Sequence, residues 1–292
     1  MANAALKANT RPLNKLTAQA VAQFERDGFY SPIRAMPAAE AVEIRAKLEA
    51  HEKRAGGPLK GALRHKSHLL FPWLWELVHH RGIVDAVEDV LGPNLLCWSS
   101  SFFIKEARDP AFVSWHQDST YWGLSSPDVI TAWVALSSST LESGAMRVVP
   151  RTHAGQIAHR DTFKEGNLLT RGQEVMVDID SSNAVDLLLE PGEMSLHHVR
   201  LIHGSEPNRA ADRRIGFAIR YIPTTVRQTV GPKDSATLVR GVDEYHHFDH
   251  EKRPESDLSP EAMAQHHEIT ERQAKILYAG TQIQNLDKQT SS

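Results

Sequence analysis

Between residues 17 and 92 the apolar positions recur at helical spacing. Thr17 stands as an N-cap before a segment in which Val21 and Phe24 share a face, and Gly28 stops it. A second amphipathic stretch follows Pro37, with Ala41, Ile44 and Leu48 in one stripe, and ends at Gly56 and Gly57. A third region carries Trp73, Leu74, Leu77 and Val78, then Ile83, Val84, Val87, Val90 and Leu91; it is expected to break near Gly82 and close at Gly92 and Pro93. All three read as scaffold.

After Pro93 the period shifts from helical to alternating. Extended segments are expected at 94–105, 130–136, 146–149, 185–189, 193–198 and 215–222, with turn signals at Asp109-Pro110, Ser143-Gly144, Pro191-Gly192 and Pro207-Asn208. Helices followed by many short strands predict an α+β fold whose strands close as a jelly roll. Past Pro223 the chain turns polar, and 260–278 reads as a last helix in which Ile269, Ala274 and Leu277 loosely share a face. The expected organisation is a flexible tail at 1–15, one domain over 16–280 and a second flexible tail at 281–292.

Composition narrows the function classes. With 292 residues, 41% of them hydrophobic, and a formal net charge of −3, the chain can build a sizeable core and does not suggest a nucleic-acid or polybasic membrane binder. Residues 1–15 lack a secretory apolar stretch and no run reaches transmembrane length, so a soluble cytoplasmic protein is expected. The single Cys97 excludes an internal disulfide and reads as a buried structural thiol. Oligomeric state, monomer or homodimer, stays open.

The chemistry concentrates at Trp115-His116-Gln117-Asp118. Alternate residues of a strand face the same way, so His116 and Asp118 can share one centre. His203, which ends an apolar run and opens His203-Gly204-Ser205, offers a third ligand. Two histidines and a carboxylate on one face of a metal form the facial triad of non-haem Fe(II) oxygenases. Eleven residues after His203, an alternating strand places Arg214, Gly216, Ala218 and Arg220 on one face and Ile215, Phe217, Ile219 and Tyr221 on the other. An arginine fork there can hold a carboxylate bidentately.

On these residues, together with Thr131-Ala132-Trp133 and the segment 144–153, the chain resembles the phytanoyl-CoA dioxygenase-like family over about residues 16–223. The resemblance implies a double-stranded β-helix, a cupin-like jelly roll, and a dioxygenase that uses Fe(II), 2-oxoglutarate and O2. It implies His116, Asp118 and His203 as iron ligands, Arg214 as the partner of the co-substrate's far carboxylate, and Ser205 as a hydrogen-bond donor beside it. It also points to Trp133, Ser101 and Phe103 as co-substrate contacts, although core packing accounts for Trp133 equally well. Gln117 joins the cofactor group. Relatives that halogenate carry a small residue where this chain keeps Asp118, so hydroxylation is expected, with desaturation or cyclisation of a natural product as the alternative.

Arg64, Lys66 and His68 lie where the family often places a basic group over the site. Such a group would suit a carboxylate, phosphonate or phosphate on a small-molecule substrate, while a solvated basic loop accounts for them equally. Arg147 carries the same two readings, and Tyr121 completes the candidate substrate contacts. The pairs His79-His80, His197-His198, His246-His247 and His266-His267 read as mostly surface or structural. A zinc hydrolase and a non-catalytic jelly-roll binding protein are the competing classes; the first would not need Arg214 at its position, and an intact triad with Arg214 argues against the second.

Overall fold

The computed structural model describes residues 12–169 and 171–279, so most of the first expected tail and all of the second lie outside the described residues. In chain order the elements are α1 (Ala18–Asp27), β1 (Phe29–Arg34), α2 (Ala38–Ala55), α3 (Pro72–Val78), α4 (Arg81–Leu91), β2 (Leu95–Lys105), β3 (Val113–His116), β4 (Ile130–Ala135) and β5 (Met146–Val149). There follow β6 (His159–Asp161), β7 (Gln173–Val175), β8 (Val185–Leu187), β9 (Glu193–His198), β10 (Ile202–Ser205), β11 (Arg214–Pro223), β12 (Ser235–Arg240), β13 (Asp249–His250) and α5 (Pro260–Leu277).

The helix ends follow their local chemistry. The Thr17 hydroxyl accepts from the Ala20 N–H, and Gly28 closes α1 at φ 82°, a left-handed conformation that favours glycine. The break between α3 and α4 falls at His79 and His80 rather than Gly82. His80 caps α4 by accepting the Gly82 N–H, and Gly82 sits inside the helix because a side chain there would run into the Ala35 carbonyl.

Two sheets lie face to face as a jelly roll. The larger runs β1-β9-β4-β11-β2-β12-β13 and the smaller β3-β10-β5-β8. Pairings are antiparallel except β12 with β13. The outer face of the larger sheet carries Phe102, Ile104, Ile215, Phe217, Ile219 and Tyr221 into a core shared with Leu48, Leu74, Val84 and Val87 of the helices. Its inner face meets the smaller sheet through Trp133, Ala135 and Ala218 against Met146, Val148 and Leu187. Alternation therefore sorts each central strand into a helix-facing half and a half that faces the gap between the sheets. Among the described residues no helix is long and apolar enough to cross a membrane.

The polar stretch past Pro223 hides a strand, β12, whose Ser235, Ala236 and Thr237 are buried. Their polarity has a local cause. Lys66, fully buried, donates to Glu251 Oε1 at 2.5 Å and to the Ser235 carbonyl at 2.8 Å. Thr237 donates to Glu251 Oε2 at 2.6 Å, and His68 lies 3.2 Å from the same oxygen and 2.8 Å from the Ser100 hydroxyl. Burial pushes the Glu251 carboxyl up, but the charge of Lys66 and the hydrogen bond with His68 outweigh it and hold the group well below the usual carboxylate range. Lys66 and His68 are thus corrected from substrate contacts to members of a closed ion-pair network.

Removing one partner of a buried ion pair strands the other. Glu251→Gln should therefore cost about 3 to 5 kcal/mol of stability in denaturant unfolding, and Lys66→Met with Glu251→Leu should recover much of it. An unchanged midpoint in Glu251→Gln would show that the network does not hold this corner of the fold.

Candidate metal centre and cation pocket

β3 and β10 pair with His203 opposite His116, and the two rings lie 4.1 Å apart between centroids. Asp118 follows β3, its N–H held by the Val199 carbonyl at 2.9 Å, and His116 Nε2 lies 3.3 Å from Asp118 Oδ1. One ligand atom from each of the three buried residues falls within 4.8 Å of the other two. His116 Nδ1 is 2.9 Å from the Ser114 carbonyl and His203 Nδ1 is 2.9 Å from the Leu201 carbonyl, so in each ring Nδ1–H donates to the backbone. That tautomer leaves both Nε2 lone pairs free to ligate, the usual outer-shell arrangement of metal-binding histidines.

The charge states agree with a ligand set. Burial pushes the Asp118 carboxyl up, yet its close contact with His116 and the fields of His203 and His116 outweigh it and hold it well below the usual carboxylate range. Burial, with neighbouring His116, takes His203 well below the ordinary histidine value. The donor set is two imidazole nitrogens and one carboxylate, which fits a divalent iron with positions left open.

The triad lines a cleft together with Thr131, Trp133, Ser205, Arg214 and Arg220. Arg214 is 2% exposed and among the described residues its one hydrogen-bond acceptor is the Gly144 carbonyl, with none at Nε. Burial pulls its guanidinium down to about 10. Trp133 lies 5.4 Å beneath the guanidinium, a position open only because Gly216 has no side chain to meet the indole. Beside Arg214 on the neighbouring strand, fully buried Lys105 donates to the Ser205 hydroxyl at 2.7 Å and to the Glu206 carbonyl. Burial first, then the charge of Arg214, brings its amine down to about 6.

Several expected contacts point elsewhere. Gln117, between two inward residues, turns outward and binds the Gly155 and Arg200 carbonyls and the Ile157 N–H. Arg147 alternates with the inward Met146 and pairs with Asp186 at 3.1 Å. The Tyr121 ring is covered by Arg171 at 3.7 Å and its hydroxyl bonds Asp161. Arg64 reaches the Ile104 carbonyl at 3.4 Å and lines a separate surface cleft with Lys60 and Glu106. Phe103 faces the cleft; Ser101, on the same side of β2, holds His65 Nδ1 at 3.2 Å. His65 is thus the member of the basic segment that reaches the inner face.

Three residues lining the pocket, with Lys105 behind Ser205, go beyond the expected site. Thr131 was readable by parity with Trp133, and Lys105 by parity with Ser101 and Phe103. Arg220 shares the expected face of Arg214 and lines the same cleft. His197, set aside within a histidine pair, lines the cleft with its ring 4.8 Å from His203 and neither nitrogen hydrogen-bonded. Nothing in the sequence marks it apart from the alternation of β9. Of the remaining pairs, His246 lies within 4.8 Å of Asp243 and His250 at the surface.

The family model described as phytanoyl-CoA dioxygenase (PhyH) matches residues 24–216. A probable alpha-ketoglutarate-dependent hypophosphite dioxygenase of Stutzerimonas stutzeri is 31% identical over 174 residues, 58% of this chain and 60% of that protein. L-proline trans-4-hydroxylase of Streptomyces griseoviridis is 27% identical over 165 residues, 50% of this chain and 61% of that protein. The chain thus spans about three fifths of the length of these curated relatives. Among solved structures, the non-heme monooxygenase ThoJ is similar with a TM-score of 0.79 at 37% identity, covering 88% of this chain and 97% of ThoJ. CytC3 with Fe(II) and alpha-ketoglutarate is similar with a TM-score of 0.59 at 28% identity, covering 81% of this chain and 93% of CytC3.

Lys105 makes the pocket's electrostatics testable through pH. Unfolded lysine keeps its proton to about pH 10.4, whereas folded Lys105 releases it near 6. Between those values the unfolded chain binds the extra proton, so this residue's destabilising effect is full below pH 6 and fades as pH rises. Lys105→Met should therefore stabilise the protein more at pH 6 than at pH 9 by denaturant unfolding. Parallel curves for variant and wild type would contradict the lowered value.

Proposed function

The chain belongs to the phytanoyl-CoA dioxygenase family, and on that premise we propose that it is an Fe(II)- and 2-oxoglutarate-dependent dioxygenase that hydroxylates a small-molecule substrate. One observation carries the reading. A buried two-histidine, one-carboxylate triad shares its cleft with Arg214, a buried cation that has a single carbonyl acceptor and no carboxylate among the described residues.

His116, Asp118 and His203 would hold the iron. When bound, iron and 2-oxoglutarate together supply dioxygen activation, with one oxygen atom entering the product and the other leaving in succinate as CO2 is lost. The chain's own part is positioning. Arg214 takes the far carboxylate of 2-oxoglutarate through its fork, with the Ser205 hydroxyl beside it. Lys105 fixes that hydroxyl from behind through its hydrogen bond. Trp133 walls the cleft under Arg214. Asp118 would hold the iron with its own charge where a halide would otherwise be needed, which favours hydroxylation. A zinc hydrolase is disfavoured because Asp118 is the only carboxylate lining the cleft among the described residues. The lone buried thiol, Cys97, suits the reducing cytoplasm, where we place the protein.

Anaerobic protein given Fe(II) and 2-oxoglutarate should develop the visible charge-transfer band of a chelated 2-oxo acid. His116→Ala and His203→Ala should lose both metal and band. Arg214→Ala should keep the metal yet bind 2-oxoglutarate more weakly by about 2 to 5 kcal/mol, the cost of truncating a buried charge pair. Full metal occupancy in either histidine variant, or an unchanged 2-oxoglutarate requirement in Arg214→Ala, would overturn the assignment.

A further inference from the structure

β11 carries a second buried guanidinium on its inner face, and nothing so far uses it. Arg220 is 7% exposed and lines the cleft, yet it makes no hydrogen bond or ion pair among the described residues, and its Nε is buried without an acceptor. Lys66, Lys105, Arg171 and Arg214, the other buried cations among the described residues, each hold at least one oxygen. Leaving a charge buried and unpaired is costly. Arginine is also the side chain suited to fork-like capture of an anion.

Its surroundings are arranged for a guest rather than a partner. The guanidinium lies 5.6 Å from the centroids of both Phe103 and Trp122, so two aromatic rings flank the cation without neutralising it. Across the sheet its register neighbours are Ser99 and Thr131, neither of them charged. His65 and His197, which also feel its field, are both driven toward the neutral form by burial. The one carboxylate bearing on it is Asp118, already committed to the triad. Arg214 and Arg220 stand six positions apart on one strand face, with the small residues Gly216 and Ala218 between them.

We propose that Arg220 is the receptor for an anionic oxygen group, a carboxylate or a phosphate-like oxoanion, on the primary substrate. The cleft then recognises two anions, the far carboxylate of the co-substrate at Arg214 and the substrate's own at Arg220. This rests on the functional reading above and narrows its substrate to an anionic small molecule.

The test uses full-length protein loaded with Mn(II) and saturated with 2-oxoglutarate, titrated with inorganic phosphate and separately with acetate. Paramagnetic relaxation of the phosphorus and methyl-proton resonances is read. Wild type should show saturable relaxation for at least one of the two anions. Arg220→Gln should weaken that anion's binding about tenfold or more while 2-oxoglutarate affinity changes by less than about twofold. Its thermal midpoint should hold or rise, because an unpaired buried charge is gone. Arg220→Lys keeps the charge without the planar fork and should fall between them; it decides the matter if Arg220→Gln does not fold. Arg253→Gln, an exposed control paired with Glu76, should match wild type. Relaxation unchanged in Arg220→Gln, or absent in wild type, would overturn the proposal. A fall in 2-oxoglutarate affinity would do the same by assigning Arg220 to the co-substrate's metal-proximal carboxylate. Wild-type protein that binds no 2-oxoglutarate would instead overturn the functional reading, and this inference with it.

Discussion

β11 lies between β2 and β4 with both faces covered, and the two-residue period leaves each of its side chains only two directions. Ile215, Phe217, Ile219 and Tyr221 go to the helices, so Arg214, Gly216, Ala218 and Arg220 must go to the gap between the sheets. A slip of one residue would drive two guanidinium groups into the helix-facing core and turn four large apolar side chains toward polar ligands. Burial of those four, each contributing about 1.5 to 3 kcal/mol, pins the register. The register in turn fixes where the cations stand relative to the triad.

The gap between the sheets therefore carries an imbalance that the rest of the protein does not. Elsewhere buried charges are closed off by partners, as Lys66 is by Glu251 and Arg171 by Asp161. In the cleft Arg214 and Arg220 face one carboxylate among the described residues, Asp118, which belongs to the triad. Such a pocket is stabilised by whatever anion it binds, because a ligand that prefers the folded state adds to its stability. The small residues matter as much as the charged ones. Gly216 lets the Trp133 indole lie against the strand beneath Arg214. A side chain at that position would separate the arginine from its aromatic floor.

The legible parts of this site were those with a spacing. The His-x-Asp spacing brings His116 and Asp118 together, and the interval from His203 to Arg214 carries meaning through the family resemblance, so both were open to expectation from the sequence. The central strands were legible for the same reason, and 146–149 and 193–198 fall on β5 and β9 to the residue. What failed was the reading of charge without direction. Arg64, Lys66 and His68 form a basic run, but which of them turns inward depends on tertiary pairing, and the residue that reaches Ser101 is His65 between them. Lys66 is the sharper case, since a buried lysine depends on a distant partner, Glu251, that lies 185 residues away in the chain. β12 was hidden because its serine and threonine serve that same network. Gln117 and Arg147 were misassigned against the alternation that had identified their neighbours.

The most direct measurement is a crystal structure of the anaerobic complex with Mn(II) and 2-oxoglutarate. The account predicts one metal held by His116 Nε2, Asp118 and His203 Nε2, with the far carboxylate of 2-oxoglutarate within hydrogen-bond distance, about 3 Å, of both the Arg214 fork and the Ser205 hydroxyl. Arg220 should remain free of the co-substrate in that complex. A metal bound without His203, or a co-substrate whose far carboxylate lies at Arg220 with Arg214 still held only by the Gly144 carbonyl, would contradict it.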